Sequence, residues 1–387
     1  MPLTLRYDPL APDMLENPYP TYAEMREHRP VLWHEGMRSW VLSRYRDCQT
    51  VLRDYDLFAR DRRRVGEEIP EFRQNLQALD PPAQLPVRSV FVNSLRAQDV
   101  AEVGRRTRDR LRVIFERLAR QPEFDFMTEV AGPFALVMTA ELLGVEPPGL
   151  REYTAISDAL AQRMDAGLRP EAIGPGDEAR KRLNGLVEDW FAAERRPGTF
   201  SELLASAKQE QVPDHYLRNT AATTFNASFG TLYATAGNVV LTLLDRPDAL
   251  DRLRDDPGLL GTAADELIRF DGPAQATSRV ATRPVTIGGV DIEAGQTIVT
   301  LMAAANRDPR EFDRPEELVL DRKPNRHLGF GWGPHACIGL TFGQLGVREL
   351  IAAINECPSR LRLAGKPTRR HTATVRTIGD FPVTFTP

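Results

Sequence analysis

The sequence predicts a mainly α fold with small β-sheets. Three observations carry that prediction. Apolar residues recur at three-to-four spacing along most of the chain. Strand-like alternation is confined to a few short runs. No repeat, low-complexity tract or linker divides the 387 residues. One domain spanning 1–387 is the simplest organisation these features allow.

The elements follow in order. Val31–His34 and 39–43 flank Glu35-Gly36-Met37-Arg38 as a first hairpin. Helical spacing then runs through 99–120, 134–143, 154–163 and 178–194. The longest helical stretch, 217–244, ends at Asp245-Arg246-Pro247-Asp248, because proline cannot continue the hydrogen-bond ladder. After a helix at 263–269, Gly288-Gly289 joins 285–287 to 290–292 as a tight hairpin. A strand at 297–301, a helix at 342–355 and a strand at 381–385 complete the set. The stretches 60–86 and 307–334 read as long loops, which in a compact domain are usually functional.

Composition excludes several function classes. Charged residues are 27% and hydrophobic residues 42%, with 50 Lys plus Arg against 54 Asp plus Glu. That balance argues against a nucleic-acid binder. The N-terminus has no apolar core of a signal peptide, and the most apolar stretches, around 134–145 and 239–244, are too short to span a bilayer. A soluble, cytoplasmic protein without a membrane association is expected. Within the acidic total, Arg105, Arg106, Arg108, Arg110, Arg112, Arg117 and Arg120 crowd one predicted helix. They read either as a solvated face or as a docking patch for an acidic partner.

Three cysteines cannot form a disulfide scaffold in so long a chain. One of them has a distinctive setting, Phe330-Gly331-Trp332-Gly333-Pro334-His335-Ala336-Cys337-Ile338-Gly339, followed by an apolar helical run. Glycines at 331, 333 and 339 permit φ > 0 and close backbone approach to something flat or bulky. A cysteine just before a helix sits where free N–H groups and the helix dipole favour thiolate. With no second ligand at zinc spacing, such a thiolate is a nucleophile or an axial metal ligand. Cys48 and Cys357 have no comparable setting and read as packing residues.

This segment resembles the haem-binding loop F-G-x-G-x-H-x-C-x-G of the cytochrome P450 family, the haem-thiolate monooxygenases, and matches it at every fixed position. The resemblance implies the family's triangular-prism fold, haem b (iron protoporphyrin IX) as cofactor, and Cys337 as proximal iron ligand, with Phe330, Gly331 and Gly339 shaping the loop. Glu266 and Arg269 match the family's E-x-x-R pair, a structural ion pair on one helix face. Arg279, Arg88 and His335 match donors to the haem propionates, a task suited to arginine. Gln84 stands where the family has a histidine, and its amide is expected to donate one hydrogen bond. Arg322 and His327 are expected to be structural. Asn17-Pro18-Tyr19-Pro20 and Phe381-Pro382-Val383 also fit, so the resemblance covers nearly the whole chain.

The sequence departs from the family on the long helix. The family's acid–threonine pair falls on Gly230 and Thr231, and the small pair before it on Ala227 and Ser228. Delivering protons to the distal oxygen normally uses that acid, and Gly230 cannot relay anything. Asn226, Ser228 and Thr231 are the remaining polar candidates. Two readings follow: hydroxylation or epoxidation with water or substrate replacing the acid, or oxidative C–C or C–N coupling of an aromatic or cyclic-dipeptide-like substrate. Gln344 stands where the family often has arginine, with a possible effect on partner docking, and Trp332 reads as structural. Phe229, Gln275, Thr277 and Ile378, with Asn226, are expected in the substrate pocket as polar anchors within an apolar wall, suiting a small substrate with hydrogen-bonding groups rather than an alkane or fatty acid. A separate ferredoxin-type electron donor, a role in secondary metabolism and a monomeric state complete the expectation.

Overall fold

A computed structural model describes residues 7–192 and 199–386. Helices dominate, and the longest, Asp214–Leu244, runs through the middle of the molecule. Its sequence from Asn219 to Leu244 carries no charge and no proline, so it can be buried on nearly every side. It packs against Gly132–Leu143, Leu150–Met164, Ile173–Ala192, Leu260–Asp271 and Leu340–Glu356. It is long and apolar enough to cross a membrane, unlike the shorter stretches weighed from sequence, but 67% of its most apolar window lies inside the protein. That is the signature of a core helix.

The helices expected from periodicity are present with shifted ends: Val100–Leu118, Gly132–Leu143, Leu150–Met164, Ile173–Ala192, Leu260–Asp271 and Leu340–Glu356. The Gly288-Gly289 hairpin is also present, with both glycines at positive φ as the two-residue turn requires. The stretch 60–86 is not one loop. It contains three short 3₁₀ turns, and Gln84 begins a helix, Gln84–Arg96, whose apolar residues Val87, Val90, Phe91 and Leu95 are buried.

Strand pairing is the part that periodicity did not reveal. A five-stranded sheet runs in the order Val31–His34, Ser39–Leu42, Thr297–Leu301, Ala276–Ala281 and Phe58–Ala59. Ser39–Leu42 and Thr297–Leu301 pair in parallel although more than 250 residues separate them, and the other pairs are antiparallel. This sheet carries Arg279 on its fourth strand. A three-stranded sheet joins Phe124–Asp125, Pro382–Thr386 and Arg360–Leu363.

The stretch 307–334 has little regular structure and is held by a buried hub. Both Glu266 oxygens accept from Arg269, at 2.7 and 2.8 Å, and neither side chain reaches solvent. Glu266 also accepts from Arg322, Asn325 and the Val319 amide, so a helix and the irregular segment share one carboxylate. Arg269 fills its remaining donors with the carbonyls of Asn306, Pro315 and Glu317. His327 lies buried against Asp265, and the Gln344 amide donates to the same carboxylate, which ties Gln344 down internally.

Cys48 is fully buried and Cys357 packs partly buried against the main core. Trp332 packs against the cluster formed by the five-stranded sheet and the helix Tyr45–Arg53. The arginine-dense helix Val100–Leu118 is not a free positive face. Arg105 and Arg106 pair with Glu102, Asp109 and Glu141, Arg108 and Arg112 with Glu349 and Glu356, and Arg117 with Glu129. Glu102 and Asp109 on the same helix and Glu129, Glu141, Glu349 and Glu356 from other elements supply the carboxylates, so five of the seven arginines are paired and Arg110 and Arg120 stay exposed, which weakens the docking-patch reading.

Candidate active site

The central helix turns one stripe toward a cavity of about 1130 Å³. Thr223, Asn226, Ala227, Gly230 and Thr231 lie along it, spaced as one helix face. Ala227 and Thr231 are exposed on a helix that is otherwise mostly buried. The Thr231 hydroxyl donates to the Ala227 carbonyl at 2.7 Å, which leaves its oxygen lone pairs toward the cavity. Phe229 lines the same space beside Tyr153, with ring centroids 4.9 Å apart. The Tyr153 hydroxyl donates to Asn226 at 3.4 Å.

Ser228 does not belong to this stripe. One residue along the helix rotates its side chain by about 100°, and its hydroxyl sits 2.8 Å from that of Thr139 on the helix Gly132–Leu143. A different hydroxyl stands at the missing acid. A β-carbon placed on Gly230 would lie 3.2 Å from Ser157 Oγ, which comes from the helix Leu150–Met164 and lines the cavity. No local pattern around Ser157 marks it, because the contact joins two helices.

Two further expected pocket residues lie elsewhere. Gln275 is buried between Tyr22, whose hydroxyl donates to it, and the Gly272 carbonyl, to which it donates. Ile378 is fully buried in the main core, against the face of the central helix that carries Gly237. Thr277 does line the cavity, and its hydroxyl accepts from Arg60 at 3.1 Å.

The cysteine loop is built by backbone geometry. The Cys337 amide donates to the Phe330 carbonyl and the Gly331 amide to the Leu328 carbonyl. Gly331 and Gly333 both have φ of 70°, and a β-carbon on Gly333 would sit 2.5 Å from the Leu52 carbonyl oxygen. Only glycine meets both demands at 333. Gly339 differs from the sequence expectation: its φ is −95°, ordinary for any residue, and it caps the helix Leu340–Glu356. Phe330 packs against Gly343 on that helix.

The Cys337 side chain is accessible. Its surroundings nonetheless raise the thiol pKa, because enclosure by protein outweighs the Gly339 N–H and the Arg88 charge that lower it. The helix start alone therefore does not make the thiolate, and a bound metal ion would have to displace the proton. Among the described residues no group of three or more His, Cys, Asp or Glu is arranged to hold a metal.

Between loop and cavity lies a charged relay. His335 Nε2 is 2.9 Å from Asp80 and Nδ1 is 3.0 Å from the Gln84 amide nitrogen. Burial lowers the His335 pKa to about 4 against the opposing pull of Asp80, with Arg60 and Arg279 adding to the fall. Asp80 is pushed up by burial, but hydrogen bonds from His335 and the Asp61 and Arg60 amides bring it below the usual carboxylate range. The neutral ring therefore donates through Nε2 to ionised Asp80 and accepts at Nδ1 from Gln84. His335 keeps no donor for a propionate, contrary to the sequence expectation, whereas the Gln84 amide has spent only one of its two N–H groups. The atom that Gln84 leaves unpartnered is Oε1. Arg88 donates to the Ala336 carbonyl at 2.9 Å, inside the cysteine loop.

Among the described residues three arginines at this end, Arg88, Arg60 and Arg279, have no carboxylate partner. Arg279 is 3% exposed and, among the described residues, bonds to the Ser278 carbonyl and the Thr277 hydroxyl alone. Burial, helped by Arg60, lowers its pKa to about 9, with only Asp80 opposing. Arg60 is lowered by burial too and bonds to Gln77 and Thr277. A dianionic ligand bound here would supply the missing counter-charges. With an accessible thiol at a helix start and a stripe of small residues across the cavity, the donor set fits a flat, two-carboxylate macrocycle. Arg60 and Asp80 are additions to the sequence reading. Their role was hidden because 217 and 255 residues separate them from Thr277 and His335.

A putative cytochrome P450 126 of Mycobacterium tuberculosis (strain CDC 1551 / Oshkosh) is 31% identical over 376 residues, covering 86% of each chain. The chain belongs to the cytochrome P450 family. The cytochrome P450 family model matches residues 259–354 of this P450, the part holding Glu266, Arg269, Arg279 and the cysteine loop. Nocardicin C N-oxygenase of Nocardia uniformis subsp. tsuyamanensis is 29% identical, covering 98% of this P450 and 97% of the relative. Among solved structures, epothilone B-bound cytochrome P450epoK superposes with a TM-score of 0.87 at 25% identity, covering 99% and 100% of the two chains. This P450 is thus an oxidoreductase of the monooxygenase type, and its cofactor is haem b.

Proposed function

We propose that this P450 hydroxylates or epoxidises a small natural-product substrate of secondary metabolism, in the cytoplasm, with O₂ and electrons from a separate ferredoxin-type protein. Relatives named for oxygenation and a structural neighbour bound to epothilone support the natural-product reading. The cavity supports it too, since it combines an aromatic wall at Phe229 with polar groups at Asn226 and Thr277. Cys337 would hold the haem iron, Arg279 and Arg60 the propionates, and Arg88 would face the sulfur side. Bound haem b supplies reductive O₂ activation, with the thiolate favouring O–O cleavage.

The observation that carries the reading is the pair of hydroxyls around Gly230. Thr231 has its proton committed to the Ala227 carbonyl and offers lone pairs. Ser157 stands in the space that an acid side chain at 230 would fill. Between them they can hold an ordered water and pass a proton to the cavity, Ser157 as donor and Thr231 as acceptor.

Oxygen-18 gas tests the reaction class: label in the product supports monooxygenation. An unlabelled coupled product two hydrogens lighter than its precursors would overturn it in favour of oxidative coupling, which the missing acid at Gly230 also permits. Ser157→Ala tests the relay. Turnover should fall about tenfold, with more of the consumed O₂ released as peroxide. Unchanged turnover and coupling would remove Ser157 from the mechanism.

A further inference from the structure

The cavity has a second positive pole, built from arginines other than the propionate-facing pair. Arg73 comes from the turn Glu71–Arg73, Arg163 from the end of the helix Leu150–Met164, and Arg180 from the helix Ile173–Ala192. All three line the cavity. Among the described residues one carboxylate serves them: Asp177, 3.2 Å from Arg163. Arg180 makes a single hydrogen bond, to Thr223 Oγ1 at 3.2 Å, and Thr223 in turn donates to the Asn219 carbonyl. The Arg73 side chain has no hydrogen-bond or ion-pair partner among the described residues. Arg73 is exposed on the cavity wall and Arg180 half-buried; partial desolvation lowers the pKa of both, and each is lowered further by another arginine of the group.

The other carboxylates on this wall are committed. Asp158 pairs with Arg370, Asp165 accepts from the Ala373 and Thr374 amides, and Glu67 pairs with Arg62. Glu68 is exposed at the rim. The pole is also held in place. Asn219 on the central helix donates to the carbonyls of Glu71 and Gln74, and Asn184 donates to that of Phe72, so the turn carrying Arg73 is pinned to two helices. Holding like charges together without an anion is unfavourable, and rigid support for such a cluster is what an anion site needs.

We propose that Arg73, Arg163 and Arg180 form a subsite for a terminal oxyanion, carboxylate or phosphate monoester, on the substrate. This rests on the reading that substrate is oxidised in this cavity. Thr223, which anchors Arg180, precedes Thr231 by eight residues, about 12 Å along the helix axis. The substrate is therefore an amphiphilic acid whose apolar body spans roughly that length. The neutral anchors expected from sequence give way to a charged one, and acids are no longer excluded.

The test titrates holoenzyme by calorimetry with 6-phenylhexanoic acid, 6-phenylhexyl phosphate and the neutral 6-phenylhexanamide. An anion should bind about tenfold or more tighter than the amide. Arg180→Gln should abolish that preference while leaving amide affinity within about twofold, and Arg180→Lys should keep most of it. Whichever anion binds tighter identifies the oxyanion that the pole is shaped for. Equal affinity for acids and amide, or equal weakening of both in Arg180→Gln, overturns the subsite. If that happens in protein that still gives the reduced-CO band near 450 nm, the monooxygenase reading stands. Acid-selective binding by protein that lacks that band after haem reconstitution would instead sink the monooxygenase reading and leave the subsite.

Discussion

Replacing Arg279 with methionine should change stability in opposite directions with and without cofactor. Arg279 is 3% exposed, and burial and Arg60 lower its pKa from 12.5 to about 9. That depression corresponds to ~5 kcal/mol of unfavourable charge in the native protein at neutral pH. The sign follows from linkage. Between pH 9 and 12.5 the unfolded chain binds the proton more tightly than the native one, so native stability rises with pH across that window, and below it the penalty is present in full. Methionine removes the charge and keeps much of the stem. It also loses the bond to the Ser278 carbonyl at 2.8 Å, a cost of about 1–3 kcal/mol if that carbonyl stays dry. The apoprotein should therefore gain roughly 2–4 kcal/mol against chemical unfolding, read by far-ultraviolet circular dichroism. The holoprotein should lose a charge-assisted propionate contact, about 1.5–3 kcal/mol, and release haem to excess apomyoglobin about 10- to 150-fold faster. An apoprotein destabilised by the substitution would refute the reasoning, since the charge would then not be unfavourable in the native state.

Three further outcomes are expected. Glu266→Ala leaves two arginines facing each other in the interior and should cost ~3–5 kcal/mol, measured as the shift in the denaturant midpoint at constant m. Gly333→Ala should be strongly destabilising, because its φ of 70° and the 2.5 Å approach to the Leu52 carbonyl both exclude a β-carbon, whereas Gly339→Ala, with φ of −95° and its nearest atom 3.8 Å away, should cost under about 1 kcal/mol; comparable losses in the two variants would contradict that contrast. Because His335 is held at about 4, below its ordinary 6.5, the unfolded chain protonates first as pH falls. Native stability should decline by up to ~3 kcal/mol between pH 6.5 and 4 and be unaffected above 6.5, and His335→Gln should flatten that part of the unfolding-midpoint profile.

What could be read before folding was mostly local. The Gly288-Gly289 turn, the stop at Pro247 and the helices from periodicity depend on interactions within a few residues, and they lie close to where they were expected. Stripe membership was harder. Ser228 and Thr231 look equally placed in a string of small and polar residues, yet the helix rotates one onto Thr139 and the other into the cavity. Gln275 and Ile378 sit next to cavity-lining Ala276 and Thr377, but strand and loop direction turn each of them into the interior. The arginine-dense helix looked like a charged face because part of its counter-charge, on Glu141, Glu349 and Glu356, comes from other helices.

By itself the sequence determined the family, the cysteine that can carry iron and the loop that presents it. A ten-residue segment contains its own turn glycines and the Cys337-to-Phe330 backbone bond, so its motif is legible locally even though Arg88 and Leu52 also contact it. The tertiary structure alone decided who assists that cysteine and what the cavity accepts. Asp80 meets His335, Ser157 fills the space beside Gly230, and Arg73, Arg163 and Arg180 converge around a single aspartate. Each of those juxtapositions is a long-range contact set by helix packing and strand pairing.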